Sequence, residues 1–370
     1  MRKTIAATVS VLLLAALCPF IMGRAWLAVD NPRPPHAAQP GVLRIVMVTT
    51  FEGSGVSMLQ WVKNQAAAYR KQHKDVLFHI QAVNPAQLAG FFLPDAQSVP
   101  DLVIFPPGYM KAEHAQALPP TLTQTGLPAA QKAAGAHAVM LAWQPYAVLL
   151  DDAILTAHSA ALDPGCGNEG WQTALRSLQT PLSAKSSRAN GGLCMGRDGP
   201  GGAAVALIES ADTPGQWAGA LQSGFSVFKG RTEAWHAYRT GRYAVLIGTG
   251  RDAMRARARL EQKGTAFTTW PLGARQTYTD MAYYAALPHT ADPAALDFLT
   301  HLATTAQPEL ADTGLHAADK LAQSPSGTLL FAPAFADRTL NEMVNDMAID
   351  LLCGVIDAKT YTAARDRLLS

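Results

Sequence analysis

Leu43 to Asp75 read LRIVMVTTFEGSGVSMLQWVKNQAAAYRKQHKD. A β-branched run through Thr50 is cut by the turn Phe51-Glu52-Gly53-Ser54-Gly55, after which Leu59, Val62, Ala66 and Tyr69 recur at helical spacing. This is strand, glycine turn, helix. Working outward, Leu77 to Val83 reads as the next strand, and Pro100-Asp101 announces a third, Leu102 to Phe105, closed by Pro106-Pro107-Gly108. Short apolar runs bounded by turn residues and alternating with helices suit strands buried on both faces of a parallel sheet. The class is α/β.

Ala138 to Leu150 (AVMLAWQPYAVLL) is too proline-broken for a helix and reads as an extended segment crossing from one lobe to another. A second α/β unit follows from Asp151 to Lys263. It has helical stretches around Trp171 to Leu178 and Trp235 to Thr240, and a loop-like stretch from Ala189 to Gly202. Its strand Tyr243 to Ile247 runs into Gly248-Thr249-Gly250, and a basic helix covers Arg251 to Lys263. Phe267 to Pro271 suggests the return crossing, with Tyr278 to Leu287 as a strand after it. Asp292-Pro293 has the chemistry of an N-cap and first helical residue. Near the end, Leu340, Met343, Val344, Met347 and Leu351 are spaced for one apolar helix face, and a last helix begins near Asp357.

The chain has 370 residues, above the size at which a single core usually stops growing, so two lobes are expected. Met1-Arg2-Lys3 is a basic start to an uncharged, mostly apolar run from Thr4 to Gly23. Residues 1–25 read as a targeting segment, either a removed signal peptide or a retained anchor. Leu17 precedes Cys18 where a lipobox wants a small residue, so lipidation is not the favoured outcome. The proline-rich stretch 26–41 reads as a tether. Arg2, Lys3 and Arg24 leave with the targeting segment and no acid does, which takes the net charge from +2 to −1. A near-neutral body with scattered charge has no footprint for nucleic acid or an anionic membrane surface.

Four cysteines, Cys18, Cys166, Cys194 and Cys353, show no zinc or redox spacing. In an oxidising compartment Cys166 and Cys194 are the candidates for a disulfide, and Cys353 reads as a buried free thiol. Ten histidines form no HExxH motif, and GxSxG is absent, so no cofactor, metal or nucleophilic machinery is expected. Asp151-Asp152 suits helix capping better than acid–base chemistry. Gly248-Thr249-Gly250-Arg251-Asp252-Ala253 fits GxGxxA after a strand. It can be a close-packing turn, a turn offering N–H groups to a ligand, or a dinucleotide turn, although the strand after it carries no acidic residue for a ribose. Phe51, Phe105, Trp143 and Trp270 lie at strand ends or crossings, where a ring serves either core packing or ligand stacking.

LRIVMVTTFEGSGVSMLQWVKNQAAAYRKQHKD, VPDLVIFPPG, GRYAVLIGTGRDAM and YTDMAYYAALPHTADPAALDFLTHLAT, in that order, resemble landmarks of the family 1 extracellular solute-binding proteins of ABC transporters, the maltose-binding-like group. The resemblance spans roughly residues 42–370. It implies a two-lobed type II periplasmic-binding-protein fold, each lobe a mostly parallel sheet flanked by helices, joined by crossing segments and closing by hinge bending. Residues 42–143 with 271–315 would form the first lobe, and 144–270 with 316–370 the second. It also implies a monomeric, non-enzymatic binder outside the cytoplasm, periplasmic or tethered to the membrane's outer face. Such a binder captures a small molecule, a carbohydrate by analogy, for ABC transporter permease subunits. An extracytoplasmic transferase or hydrolase in the same cleft, or a ligand-sensing subunit, is the alternative.

Open α/β sheets place ligands outside the carboxyl ends of their strands. Phe51 and Glu52, Phe105, Trp143, Thr249 and Arg251, and Asp280 and Tyr283 occupy such places and are the candidate ligand contacts.

Overall fold

A computed structural model of the chain describes residues 41–49, 58–93, 96, 98–124, 128–144, 146–151, 191–197, 202–209, 213–219, 225–262, 264, 267–271, 276–305, 316–317 and 328–369. The expected disulfide partner Cys166 and the candidates Phe51 and Glu52 lie outside the described residues, as does the helical stretch around Trp171.

In chain order the first elements are β1 (Val42–Val48), α1 (Met58–Gln72), β2 (Leu77–Val83), α2 (Pro85–Gly90), β3 (Leu102–Phe105), α3 (Pro120–Thr123), α4 (Pro128–Ala134) and β4 (Val139–Trp143). Next come β5 (Tyr146–Asp151), β6 (Gly191–Gly196), α5 (Gly202–Glu209), β7 (Phe225–Phe228), α6 (Arg231–Arg239), β8 (Tyr243–Thr249), α7 (Gly250–Gln262) and β9 (Phe267–Pro271). The rest are β10 (Gln276–Thr279), β11 (Ala282–Ala286), α8 (Pro293–Thr304), β12 (His316–Ala317), β13 (Thr328–Phe331), α9 (Arg338–Cys353) and α10 (Ala358–Leu369).

Two large sheets form. The first has the order β12-β4-β11-β3-β1-β2 and the second β7-β6-β8-β5-β9, while β10 and β13 pair with each other. In the first sheet β2, β1 and β3 run parallel, with Val42 opposite Leu77 and Ile45 opposite Leu102. β11 runs antiparallel between β3 and β4. In the second, β7, β6 and β8 are parallel, and β5 and β9 join antiparallel. Each sheet therefore has a parallel body and takes in antiparallel strands where the chain crosses over.

Every residue of β3, β4, β8 and β11 is buried, as the unbroken apolar runs require of strands covered on both faces. β2 alternates because it is an edge. α1 and α8 cover one face of the first sheet, with Tyr69 edge-on to Phe298 at 5.3 Å. Asp292 caps α8 by accepting from the Ala294 N–H at 2.8 Å, as its sequence promised. α9 and α10 pack with α5, where the buried Glu209 accepts from Tyr361 and from Arg365 at 2.9 Å.

Two expectations are corrected. The loop-like stretch Ala189 to Gly202 contains β6, the centre of the second sheet's parallel body. Glycines disguised it, and one of them has a steric purpose: a Cβ on Gly196 would sit 2.5 Å from the backbone N and Cα of Arg231. Phe267 to Pro271 is not a crossing, since β9 pairs with β5 inside the second sheet. The chain returns at Asp280-Met281, between β10 and β11. Cys194 is a buried thiol in β6 with its Sγ 3.8 Å from the Ala234 carbonyl oxygen, and its expected partner Cys166 lies outside the described residues. Burial alone pushes that thiol's pKa far up, which leaves it inert.

Candidate functional site

Trp143 pairs with Ala282 at the end of β4, and Tyr146 pairs with Thr249 at the end of β8. The carboxyl ends of β4 and β8 therefore meet at the crossings, in the crevice where this architecture places ligands. Two sites lie there: a cavity on the first sheet's side and a buried polar knot between the crossing segments.

The cavity has a volume of ≈ 740 Å³. Its first wall is α2, where Asn84 and Gln87 close a capping box at 2.9 and 3.0 Å and Pro85 fixes the entry. Phe92 follows that helix and stacks on His114 with ring centroids 4.5 Å apart. The second wall is the loop after β3. Gly108 there has φ +79° and donates its N–H to the Ala334 carbonyl at 3.0 Å. A Cβ would approach the Ala336 carbonyl oxygen at 3.2 Å, so glycine lets this loop touch the chain entering α9. The third wall is that entrance, Phe335 to Arg338, where Asp337 caps α9 by accepting from Thr339 at 2.8 Å.

Apart from Asp337, whose carboxylate is engaged in capping α9, the charges in this cavity come paired. Arg338 lies 4.9 Å over the Tyr109 ring and donates to Glu342 at 2.7 Å. Lys111 contacts Glu113 at 3.3 Å, and His114 lies 3.8 Å from the same carboxylate. Burial raises the Tyr109 pKa, the Arg338 guanidinium opposes that rise, and the charges of Glu342 and Asp280 add to it. Tyr109 is thus a neutral phenol, a hydrogen-bonding group with an aromatic face. Rings interleaved with compensated charges suit an uncharged polar ligand that offers both hydroxyls and apolar faces. Among the described residues no group of three or more His, Cys, Asp or Glu is placed to hold a metal ion.

The knot joins the crossings. Gln144 N–H donates to the Met281 carbonyl at 2.7 Å, the Thr279 hydroxyl donates to the Gln144 carbonyl at 2.8 Å, and Ala332 N–H donates to the Thr279 carbonyl at 3.0 Å. At its centre Asp280 is buried; its Oδ1 accepts from the Tyr146 hydroxyl at 2.8 Å and its Oδ2 from the Gly202 N–H at 3.0 Å. Burial pushes the Asp280 carboxyl up to about 6 against the opposing effect of these donors and of Arg231.

None of the six described candidates lines the cavity. Phe105 is fully buried, 5.7 Å from Phe335, and supports the cavity wall from behind. Trp143 is buried edge-on to Phe331 at 5.4 Å, and Tyr283 is fully buried in the core. Thr249 is buried and closed on Asp252, its N–H and hydroxyl each 3.0 Å from Oδ2, so the glycine turn satisfies itself and starts α7. Arg251 is half-buried on that helix. Asp280 belongs to the knot. Arg251 apart, the cause is common: apolar and small polar residues at strand ends of a doubly covered sheet are core, and the cavity lining begins a few residues later, in the loops. The signal was present in the proline-proline-glycine turn after β3, which runs directly into Tyr109, Lys111, Glu113 and His114.

No protein-family model matches the chain, and no curated protein does. Solved structures do match its shape. The GacH receptor of Streptomyces glaucescens, solved without ligand and with acarbose, matches with a TM-score of 0.63 at 14% identity, over 88% of this chain and 98% of that one. The galacto-N-biose/lacto-N-biose I-binding protein of the ABC transporter from Bifidobacterium longum gives 0.62 at 12% identity, over 90% and 98%. UgpB from Mycobacterium tuberculosis, in complex with glycerophosphocholine, gives 0.61 at 13% identity, over 90% and 98%. At these identities the likeness establishes the fold: two α/β lobes of the periplasmic-binding-protein type.

Proposed function

We propose that the chain is an extracytoplasmic solute-binding protein that captures a small neutral polyhydroxylated molecule, a carbohydrate above all, and delivers it to the permease subunits of an ABC transporter as a monomer. One observation carries the reading: the cavity at the carboxyl-end crevice combines aromatic faces with charges neutralised in pairs, and its one further carboxylate, Asp337, is engaged by backbone N–H groups, a lining for a polar ligand that brings no charge of its own. The shape neighbours support it, since those solved with acarbose and lacto-N-biose hold sugars in this architecture. The basic, apolar start of the sequence supports the compartment. Among the described residues no helix is long and apolar enough to cross a membrane.

A thermal-shift screen over sugars, oligosaccharides, polyols, glycerophosphodiesters and organic acids tests the reading. A ligand that binds only the folded state at about a hundred times its dissociation constant adds about 2.7 kcal/mol of stability. The expected hit is a neutral sugar or polyol, bound one per chain and recovered chemically unchanged. A hit confined to organic acids would overturn the ligand class. A hit converted to product would overturn the binder in favour of a transferase or hydrolase.

A further inference from the structure

We propose that the outer face of α6 and α7 is a docking surface for a membrane rich in anionic phospholipid, one that holds the far end of the second sheet at the headgroups and leaves the carboxyl-end crevice open. The proposal takes its location from the extracytoplasmic reading and nothing from the ligand reading.

Topology gathers the charge. α6 leads from the carboxyl end of β7 to the amino end of β8, and α7 leads from the carboxyl end of β8 to the start of β9. β7 and β8 both run parallel to β6, and β9, like β8, runs antiparallel to β5. The last turns of both helices therefore lie at the amino edge of the sheet, opposite the edge where ligands bind. Ala234, Ala237 and Tyr238 of α6 pack with Ala256 of α7 into one cluster containing Leu149, Cys194 and Leu246. Those three residues form one row across β5, β6 and β8, so the two helices cover the same face of the sheet. Their solvent sides share one surface.

That surface is basic. Arg239 at the end of α6, Arg242 just after it, and Arg255, Arg257 and Arg259 on α7 are all exposed. Lys229 to Gln262 hold eight Lys and Arg against three Asp and Glu, whereas the rest of residues 26–370 hold nineteen against twenty-five. The near-neutral total, which argued against an anionic membrane surface, conceals this asymmetry. Local bonds cancel little of it. Arg239 donates to His236 Nδ1 at 3.2 Å, and Arg255 comes only within 3.9 Å of Asp252, a buried carboxylate already engaged by Thr249.

The fold does not ask for these charges. Arg251, Arg255 and Arg259 follow one another four residues apart, a spacing at which like charges destabilise a helix. The macrodipole favours Arg239 and Arg259 in the last turns, but it does not reach Arg255 and Arg257. Set along the outside of two helices, α7 alone being about 20 Å long, the guanidiniums suit an extended anionic plane rather than one small anion in a pocket. The acidic remainder of the chain is repelled by the same plane, so the field also orients the body with this end towards it.

Arginine footprinting of the full chain with phenylglyoxal, without any sugar, tests the proposal. It reads the face whether or not the N-terminal segment is retained, and its outcome is separate from that of the ligand screen. Vesicles of equal parts phosphatidylglycerol and phosphatidylcholine should slow modification of Arg239, Arg242, Arg255, Arg257 and Arg259 severalfold at low salt. Pure phosphatidylcholine should not, and about 0.5 M salt should abolish the protection. Arg70, exposed on α1, is the control and should react at an unchanged rate. An arginine near an anionic lipid surface contributes about fivefold to binding, so Arg255→Gln/Arg257→Gln/Arg259→Gln should need about a hundredfold more lipid to protect Arg239 and Arg242. The wild-type footprint decides alone if that variant does not fold. Unchanged reactivity, equal protection by phosphatidylcholine or equal slowing at Arg70 overturns the proposal. Protection by a polyglutamate peptide but not by the anionic vesicles overturns it in favour of an acidic protein partner.

Discussion

The cavity and the knot lie in one crevice and are built from opposite materials. Around the cavity, Lys111, Glu113, Arg338 and Glu342 are about half or more exposed and neutralise each other in pairs. In the knot, Gln144, Thr279 and Asp280 are almost fully buried, and their groups bond to the other crossing segment or to α5. A solvent-facing set of rings and paired charges can exchange water for a ligand at low cost, whereas a buried hydrogen-bonded set specifies geometry and resists change. The contrast separates contact from articulation, and it makes the same kind of substitution read differently in the two places.

The largest effect expected is in the core behind the crossing. Trp143→Ala should cost about 3–5 kcal/mol of stability, because a buried indole edge-on to Phe331 leaves a void that the neighbouring strands cannot fill. Tyr109→Ala, on the cavity wall, should leave stability nearly unchanged and weaken sugar binding by roughly 1–3 kcal/mol, about five- to a hundred-fold. Denaturant melts and calorimetry read the two effects separately. If Trp143→Ala stays stable and loses ligand, the assignment of contact and core is reversed.

Next comes Gly202→Ala. The added methyl meets a carboxylate carbon at 2.9 Å, so α5 or the crossing has to move. A loss of about 1–3 kcal/mol is expected, as for other overpacked buried sites. Gly90→Ala is the control, since a Cβ there finds nothing within 4 Å. Helix propensity favours alanine at both positions, so a loss at Gly202 beside no loss at Gly90 isolates the clash, and no loss at Gly202 would mean that the knot yields without cost.

Much of the architecture was legible because burial on both faces leaves an apolar run that a reader can recognise. Leu77–Val83 and Leu102–Phe105 emerged with the expected limits, and the chain passes from the first sheet to the second between Trp143 and Tyr146. β6 was not legible, because its glycines look like loop residues, and the clash with Arg231 that Gly196 avoids is unseen in the sequence. The site was harder for a related reason. Phe105, Trp143, Thr249 and Asp280 have the residue types of ligand contacts, and only the three-dimensional packing tells whether a ring or carboxylate faces a cleft or a neighbouring strand. Tyr109 and Arg338 come from distant parts of the sequence and meet only because Gly108 lets one loop approach the entrance of α9.

Asp280 also leaves a mark on global stability, smaller than the steric effects. Its pKa is raised in the folded chain, from 3.8 to about 6, so between these values the folded state holds more proton than the unfolded state. Stability from this group therefore rises as pH falls from about 6 towards 4 and is lost as pH rises through about 6. Urea melts of wild type and Asp280→Asn across this range should differ by a term on the order of 1 kcal/mol that follows that direction. A difference independent of pH would place the carboxylate in water rather than in the knot.

The smallest effect, and the finest test of the contrast, is Arg338→Ala. Arg338 and Glu342 are about half exposed and one helical turn apart, so their bond at 2.7 Å should contribute only about 0.3–0.5 kcal/mol to stability and fade with added salt. The guanidinium also covers the Tyr109 ring and neutralises one side of the cavity. Removing it uncovers the Glu342 carboxylate beside the ligand space, which disfavours an organic acid and leaves a neutral sugar with little more than a lost contact. Calorimetry on Arg338→Ala should then show a small loss of sugar affinity that salt does not change, beside a nearly unaltered melting temperature. A large, salt-dependent loss would mean that the guanidinium binds an anionic group directly, and that the cavity selects charge rather than neutral hydroxyls.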